Sequence, residues 1–343
     1  MPLMCKGLGY RYGGPSGCAL RDVSFSMEPG ESVGLAGRSG SGKTTLVRCL
    51  AGQLMPSEGC VEVDGQMLDG TPTTRRYFAR RVGIVAQLPE RQLFGQTVYE
   101  DVAFGPRNDA CPDEEIDRRV RRALDEVGFD YARSLEASPF ELSGGEQRRI
   151  AIAGILALEP TYLVLDEPTA GLDPEGRDSL VAVVRDLVDS GVGVVLVSHD
   201  MDFLAENVQR LVVLDSGRLV LDGPVRDAFS DSQAIEDAGL ALPLAARVRR
   251  DLVGRGIVIP EDAVTVDALV GALKGQARDG DGGCSPDCVG MEARRMPADA
   301  GGASAAGCGG ADAAAGVDAS MKPDDSFPSE EPESGPDGRG WCR

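Results

Sequence analysis

Short apolar runs alternate with amphipathic stretches along the first part of the chain. The apolar runs have the length of β-strands, and we place strands at residues 32–36, 82–85, 162–166, 194–198 and 211–214. The run Leu163-Val164-Leu165 is apolar without alternation, which is typical of parallel strands buried on both faces. Helical periodicity predicts helices between these runs, at residues 43–51, 113–127, 144–157 and 174–190. Strands interleaved with helices indicate an α/β fold with a mainly parallel sheet.

Two earlier segments show a different pattern, in which apolar and polar residues alternate. These are Leu20–Met27 and Cys60–Val63. Alternation with a period of two indicates strands with one solvated face, which are typical of antiparallel sheets. We therefore predict an antiparallel β layer near the N-terminus.

Composition excludes several classes of protein. The 343 residues include 35 Lys and Arg against 55 Asp and Glu, and this net charge of -20 argues against binding to nucleic acid phosphates. Nine cysteines without a framework spacing favour reduced thiols in a cytosol over a disulfide scaffold. No apolar run reaches the roughly 18–20 residues of a membrane helix, and the first residues do not resemble a secretory signal.

The last segment of the chain differs in composition from the rest. Residues 279–343 contain 13 acidic and five basic residues and are rich in Gly, Ala, Asp, Pro and Ser. Such a segment cannot bury enough apolar surface to offset the entropy lost on ordering. We predict that it is a disordered acidic tail.

A glycine-rich motif connects the strand at 32–36 to the helix that follows. It matches the pattern G-x-x-x-x-G-K-[ST] and consists of Gly37, Arg38, Ser39, Gly40, Ser41, Gly42, Lys43 and Thr44, followed by Thr45. Glycines allow backbone N–H groups to converge on phosphate oxygens, and the helix N-terminus adds partial positive charge. We expect Lys43 to reach the β- and γ-phosphates of a nucleotide and the Thr44 hydroxyl to ligate Mg²⁺.

Two carboxylates and the single histidine follow neighbouring strands. Asp166 ends the apolar run 162–166, Glu167 comes directly after it, and His199 follows the run 194–198. Ligands of open α/β sheets bind at the carboxyl ends of the strands. We expect Asp166 to hold Mg²⁺, Glu167 to orient or deprotonate an attacking water, and His199 to contact the γ-phosphate or the same water.

The segment Glu141 to Arg149, with the sequence Glu-Leu-Ser-Gly-Gly-Glu-Gln-Arg-Arg, resembles the signature of ATP-binding cassette (ABC) ATPases. Taken alone, Leu-Ser-Gly-Gly also has the pattern of a helix N-cap. The resemblance implies that subunits pair head to tail, so that Ser143, Gly144 and Gly145 cap ATP held by the phosphate loop of the partner. Glu146 stands where many members of the family have Gln.

Other elements of the ABC family occur in the expected order, and the resemblance covers about residues 3–223. Gln87 matches the glutamine loop, which implies contact with Mg²⁺ and with a membrane partner. Gly171-Leu172-Asp173 matches the loop that crosses the dimer interface. Tyr12 resembles the aromatic residue that stacks on adenine, and Tyr10 is the alternative.

A finer resemblance is to the ATPases of energy-coupling factor transporters, which include the cobalt and nickel importers. It rests on residues 88–108, on Arg148–Gly154 after the signature, and on the region 239–274, which resembles a short C-terminal helical extension. The fold that follows is a P-loop NTPase of ABC type, with a mainly parallel sheet, an antiparallel β layer and a helical signature subdomain. We expect an ATPase domain at 1–223, the helical extension at 224–278 and the tail at 279–343.

The resemblance implies the activity, cofactors and partners. We expect an ATPase that uses ATP and Mg²⁺ and drives uptake of a vitamin or transition-metal ion. It would lie at the cytoplasmic side of the cell membrane, bound to a transmembrane coupling protein, a substrate-binding membrane protein and a second ATPase subunit, identical or related. Glu90, Glu100 and Asp101 suggest that the coupling protein presents basic cytoplasmic helices.

Three alternatives stay open at this point. The first is the ATPase of another ABC transporter class, such as an exporter. The second is an ABC protein of translation or chromosome maintenance, although that class usually has two cassettes or a long coiled coil. The third is a nucleotide-gated module without catalysis, against which the presence of Glu167 and His199 argues.

Overall fold

A computed structural model of the chain describes residues 1–13, 17–87, 89–230 and 233–279. Within these ranges the strands are β1 Leu3–Arg11, β2 Cys18–Met27, β3 Ser32–Ala36, β4 Glu58–Val63, β5 Gln66–Met67, β6 Val82–Val85, β7 Tyr162–Asp166, β8 Gly193–Val197, β9 Arg210–Asp215 and β10 Arg218–Pro224. The helices are α1 Lys43–Leu50, α2 Pro72–Arg81, α3 Val98–Asn108, α4 Asp113–Glu126, α5 Tyr131–Ser134, α6 Gly144–Leu156, α7 Pro174–Asp189, α8 Met201–Asn207, α9 Val225–Ser230, α10 Gln233–Asp237, α11 Leu244–Gly254 and α12 Val266–Asp279.

The central sheet has the strand order β10-β9-β3-β8-β7-β6. All neighbouring strands are parallel except β10, which runs antiparallel to β9 at one edge. Side chains alternate between two hydrophobic clusters, so that Leu163 and Leu165 of β7 enter one cluster and Val164 enters the other. The continuous apolar runs in the sequence therefore reflect burial on both faces, as predicted.

The antiparallel layer covers one of these faces. Its strand order is β2-β1-β4-β5, and its apolar residues share a cluster with α1 and with the inner face of the central sheet. The prediction from the alternating segments is confirmed for β2 and β4. The long strand β1 between them in space was not predicted.

Helices cover the other face of the central sheet. The subdomain α3–α6 carries the signature at the N-terminus of α6, and α3, α4 and α6 pack on one another. An α/β fold with a helical signature subdomain is thus confirmed.

The C-terminal extension contains α9 to α12, and residues from Val225 to Ala246 join the main hydrophobic core. Residues 255–265 are not helical, although the region was expected to be a helical extension. The tail predicted at 279–343 lies outside the described residues from position 280 onward. No helix in the described part of the chain is long and apolar enough to cross a bilayer.

Candidate active site

The carboxyl ends of β3, β6, β7 and β8 meet at one edge of the central sheet, and the loops that follow them enclose a cavity of about 660 Å³. Because the strands are parallel, loops distant in sequence converge here. Most of the residues predicted to bind the nucleotide line this cavity, which we therefore call the nucleotide cleft: Tyr12, Gly37, Arg38, Ser39, Gly40, Gly42, Lys43, Thr44, Thr45, Gln87, Asp166, Glu167 and His199. Ser41 belongs to the same loop but is buried.

The shape of the loop between β3 and α1 requires glycine at two positions. The φ angles of Gly37 and Gly42 are 153° and 106°, and a Cβ atom at Gly42 would lie 2.6 Å from the Ala19 carbonyl oxygen. A Cβ atom at Gly37 would lie 2.3 Å from the Leu214 carbonyl oxygen. Only glycine avoids these contacts at such backbone angles. The loop therefore exposes backbone rather than side chains at the N-terminus of α1.

Lys43 is held by the loop that it follows. Its Nζ donates hydrogen bonds to the carbonyl oxygens of Gly37 at 2.6 Å and Arg38 at 3.2 Å. Burial lowers the pKa of Lys43, although the nearby carboxylates of Glu167 and Asp166 act to raise it. An anion in the cleft would offset the cost of burying this ammonium group. Ser41 Oγ, which is buried and has no hydrogen-bond partner among the described residues, also leaves the loop with unused polar capacity.

The carboxylate of Asp166 ends β7 at the same edge. Burial raises the pKa of Asp166, the charge of Glu167 adds to this effect, and Lys43 and Arg48 oppose it. Ionised Asp166 is thus less favourable in this cleft than in water. A cation bound at the carboxylate would compensate, which fits a divalent metal ion.

Glu167 and His199 are hydrogen-bonded to each other. Glu167 Oε1 lies 2.7 Å from His199 Nδ1, and Ser198 Oγ donates to Glu167 Oε2 at 3.3 Å. The backbone of Glu167 is left-handed, with a φ of 48°, and its N–H donates to the Val197 carbonyl at 2.8 Å. These contacts fix both oxygens of the carboxylate, while His199 remains exposed to the cleft.

Of the two tyrosines considered for adenine stacking, only Tyr12 lines the cleft. Its hydroxyl hydrogen-bonds with Thr45 Oγ1 at 3.1 Å, and its ring meets the ring of Tyr10 edge-on at a centroid distance of 4.9 Å. Tyr10 packs against the hydrophobic cluster below. The geometry therefore favours Tyr12.

The signature residues lie in a different cavity from the phosphate loop. Ser143, Gly144 and Gly145 line a cavity of about 480 Å³, together with Gly171, Leu172 and Asp173. Ser143 is the N-cap of α6: its Oγ accepts a hydrogen bond from Glu146 N–H at 3.3 Å, and its own N–H donates to Glu146 Oε2 at 3.0 Å. The signature thus forms a capping box at the start of α6. Within one chain, the signature and the nucleotide cleft lie in separate cavities.

Comparison with known proteins places this geometry in a family. The family model described as "ABC transporter" matches residues 20–170. The chain is 47% identical over 257 residues to the energy-coupling factor transporter ATP-binding protein EcfA2 of Symbiobacterium thermophilum. This alignment covers 75% of this chain and 89% of that protein. The corresponding protein of Clostridium perfringens is 41% identical, and the alignment covers 74% of this chain and 90% of that protein.

Solved structures agree with this assignment. The structure of cbiO1 from Clostridium perfringens, part of the ABC transporter complex cbiONQ, aligns with a TM-score of 0.63 at 33% identity over 72% of this chain and 98% of that one. An ATP-binding cassette solved as a dimer in a post-hydrolysis state, bound to ADP and Pi, aligns with a TM-score of 0.58 at 27% identity over 66% of this chain and 99% of that one.

The chain belongs to the energy-coupling factor transporter ATP-binding proteins. It is therefore an ATPase subunit of the ABC type, as the order of its motifs predicted. The finer resemblance to the ATPases of energy-coupling factor transporters is confirmed by these relatives, which align over about three quarters of the chain.

Two residues of the cleft in this ATP-binding protein were not predicted from the sequence. Ala19, in β2, and Leu240, in the turn after α10, both line the cavity. Nothing in the local sequence around Ala19 indicates a ligand. Leu240 belongs to the region 239–274 that resembles the family extension, but that resemblance alone does not indicate that Leu240 lies beside the phosphate loop.

Proposed function

We propose that this subunit binds ATP in the nucleotide cleft and hydrolyses it to ADP and phosphate, and that hydrolysis drives import through a membrane partner. The observation that carries the proposal is the convergence of Lys43, Asp166, Glu167 and His199 on one cleft. Relatives named as ATP-binding proteins of energy-coupling factor transporters support the same activity.

The residues of the cleft divide the work between binding and catalysis. The backbone of residues 37–44 and the ammonium group of Lys43 bind the phosphates, with Thr45 at the start of α1, and Tyr12 stacks on adenine. Glu167 acts as general base or orients the attacking water, held in place by Ser198 and His199. Lys43 then stabilises the charge that develops on the γ-phosphate.

Thr44, Asp166 and Gln87 are the residues that would hold Mg²⁺. When bound, this ion neutralises charge on the β- and γ-phosphates. The described residues contain no cluster of three His, Cys, Asp or Glu side chains that could hold a metal without substrate. This fits Mg²⁺, which usually takes one or two protein ligands together with phosphate oxygens and water.

A second ATPase subunit, identical or related, completes each site. We propose a head-to-tail pair in which Ser143, Gly144 and Gly145 of one subunit cap ATP in the cleft of the other. The location of the signature and the phosphate loop in separate cavities of one chain supports this arrangement. The structurally similar cassette that was solved as a dimer with ADP and Pi supports this arrangement as well.

The membrane partner docks in a groove between α2, α3 and α6. This cavity of about 350 Å³ is lined by Phe94 and Phe104, whose rings meet edge-on at 4.7 Å, and by a charged cluster in which Asp109 lies 3.2 Å from Arg76 and 2.7 Å from Arg80. Phe104 is 47% exposed. We propose that a cytoplasmic helix of a transmembrane coupling protein covers these two rings.

The acidic residues proposed to attract that helix are less suited to the role than the sequence suggested. Asp101 accepts hydrogen bonds from the backbone N–H groups of Phe94 and Gly95, at 3.1 and 2.7 Å. Glu100 accepts one from Gln96 N–H at 3.1 Å. Both carboxylates therefore hold the loop that presents Phe94, and the side chain of Glu90 lies outside the described residues. Reversing the charge of Asp101 would disturb that loop, so Phe104 is the better position for a test.

The cargo and location follow from the same assignment. The cargo is a vitamin or a transition-metal ion, which a separate substrate-binding membrane protein selects. The subunit lies at the cytoplasmic side of the cell membrane, attached through its partners, and no nucleic acid takes part. An ABC exporter subunit is the alternative; it would bind in the same groove but would not co-purify with a substrate-binding protein for uptake.

Catalysis is tested with two variants that separate binding from hydrolysis. Glu167→Gln keeps ATP binding and lowers the hydrolysis rate by at least about 100-fold, because a positioned base contributes that much. Lys43→Ala weakens ATP binding itself. Glu62→Gln, on β4, is the matched control and leaves both unchanged. Hydrolysis by Glu167→Gln at the parent rate would show that the assigned role is wrong.

Docking is tested by Phe104→Ser against a control in which another exposed apolar side chain is replaced by Ser. Met67 is 52% exposed and lies on the edge strand β5 of the other sheet, so Met67→Ser removes a similar apolar surface elsewhere. We expect Phe104→Ser to lower the recovery of the subunit with its membrane components about tenfold or more, because central aromatic residues dominate interfaces. Isolated ATP binding stays the same. Equal recovery of both variants would contradict the proposed groove.

A further inference from the structure

Arg148 lies on α6, five residues beyond the signature serine, and its side chain is directed into the protein. The residue is 4% exposed. Its guanidinium donates to the carbonyl oxygens of Pro168 at 2.6 Å, Ala170 at 2.9 Å and Gln87 at 2.9 Å. The planar fork of arginine presents several donors in fixed directions, which allows one side chain to serve acceptors from different loops.

The three carbonyls belong to the two segments that frame the nucleotide cleft. Gln87 follows β6 and lines the cleft. Pro168 and Ala170 stand between Glu167 and Gly171, where the chain passes from the cleft to the cavity of the signature. Neither segment is held in a regular strand or helix at these positions, so the Arg148 side chain supplies hydrogen bonds that secondary structure does not.

Arg148 therefore links α6 to the Gln87 loop, which lines the cleft, and to the turn between Glu167 and Gly171, the residue at which the chain reaches the cavity of the signature. Helix α6 carries the signature at its N-terminus and lines the groove with Phe94 and Phe104 at its far end. A shift of α6 is transmitted through the guanidinium to the glutamine loop on one side and to the turn after Glu167 on the other. An apolar side chain at position 148 would leave those carbonyls without this donor and allow the loops to move separately.

We propose that Arg148 is a positioning residue for hydrolysis. It holds the Gln87 loop, the turn after Glu167 and the loop Gly171–Asp173 in fixed positions relative to α6. This inference rests on the proposed function, because it assumes that the groups around Glu167 act on ATP. It goes further by assigning to one buried side chain the coupling between the cleft of a subunit and the surface that faces the second subunit.

The test compares Arg148→Met and Arg148→Lys in the intact transporter complex. We expect Arg148→Met to lower the turnover of ATP hydrolysis about 10- to 100-fold, because displacement of positioned groups by about 1 Å has effects of that size. The dissociation constant for ATP should stay within about twofold, since Arg148 does not line the nucleotide cleft. Arg148→Lys should recover part of the turnover, because an ammonium group still donates to at least one carbonyl.

Controls separate this inference from the proposed function and from a loss of folding. Arg122→Met makes the same chemical change on α4, where Arg122 is exposed and pairs with Glu126 at 2.9 Å, and should leave turnover and affinity unchanged. Glu167→Gln must lower hydrolysis by at least about 100-fold in the same complex; if it does not, the proposed function fails.

Hydrogen exchange gives an independent readout in the isolated chain. Arg148→Met should accelerate amide exchange in the segments around Gln87 and residues 168–173, without faster exchange in β7 and β8. The inference is overturned if Glu167→Gln is inactive while Arg148→Met turns over at the parent rate. It is also overturned if affinity, turnover and melting temperature fall together, because that pattern marks a purely structural role.

Discussion

Ser143 provides a test that separates the two roles a signature serine can have. The structure shows that it caps α6, and the proposed function places it against the nucleotide of the second subunit. Ser143→Ala removes the hydroxyl that accepts from Glu146 N–H at 3.3 Å and donates to Glu146 Oε2 at 2.9 Å. The substitution therefore removes a stabilising contact and a candidate phosphate ligand together.

The two effects differ greatly in size. Loss of an N-cap costs about 1 kcal/mol of stability, within a range of roughly 0.5–2 kcal/mol. A domain with an unfolding free energy of about 5 kcal/mol would still be unfolded only to the order of 0.1% after that loss. Capping alone thus lowers the hydrolysis rate by a negligible factor. Loss of one donor to a developing negative charge lowers the rate by about 100- to 1,000-fold.

The assay measures hydrolysis and thermal unfolding on the same preparations. The matched control is Thr265→Ala, because Thr265 Oγ1 accepts from Ala268 N–H at 3.3 Å at the start of α12 and lies outside both cavities. We expect each variant to lower the melting temperature by about 2–4 °C per kcal/mol lost. Only Ser143→Ala should also lose hydrolysis, with ATP affinity unchanged. Equal activity in the two variants would refute the proposed role and leave Ser143 as a cap.

Three further outcomes are expected. Tyr12→Ala weakens ATP binding by about 1–3 kcal/mol in titration calorimetry, the usual contribution of stacking on a base. Tyr12→Phe and Tyr10→Ala have small effects. A larger effect of Tyr10→Ala than of Tyr12→Ala would assign adenine stacking to Tyr10. Because burial raises the pKa of Asp166, ionisation of this carboxyl lowers native stability as pH rises through that pKa. Asp166→Asn therefore increases the unfolding free energy of the nucleotide-free protein at pH 7, as measured in urea titrations. A decrease would contradict the electrostatic argument. Truncation after Arg278 leaves melting temperature and ATPase activity nearly unchanged, since its composition cannot support a core; a clear loss of either would show that the tail contributes to the fold.

The central strands could be predicted because burial on both faces leaves a strong pattern. The limits of β3, β6 and β7 agree with the prediction, since each is a compact apolar run. Strand β1 was missed because its pairing with β2 shifts register after Cys5 and again after Leu8, so that its buried positions do not alternate regularly. A local pattern cannot show a bulge that the neighbouring strand imposes.

Helices α2 and α3 were missed for a related reason. In α2 only Thr74 and Phe78 are buried, which is too few to give an apolar stripe, and α3 contains Pro106 within its last turn. Their positions are set by packing against β6 and α6 rather than by their own periodicity. Intrinsic pattern is a weak guide where tertiary contacts decide.

The sequence indicates candidate site residues where one motif carries the chemistry, and it does not indicate those that the fold brings together from distant segments. Asp166 is the last residue of a recognisable strand, and the phosphate loop, Glu167 and His199 each come soon after one. The contribution of Leu240 to the cleft, and the hydrogen bonds of Arg148 to three carbonyls, depend on contacts between distant segments. Arg148 could be recognised in the sequence only as part of a family resemblance.

The location of the signature and the phosphate loop in separate cavities has a genetic consequence. In the proposed head-to-tail pair, if the two subunits differ, each gene encodes the phosphate loop of its own site and the signature that caps the other site. Substitutions in the signature of one subunit would then inactivate the site whose phosphate loop belongs to the second subunit. The site formed on the phosphate loop of the substituted subunit would still hydrolyse ATP. Selection can thus make one site of such a pair regulatory through substitutions in the opposite subunit. The chain whose cleft loses activity in this way keeps every residue of that cleft.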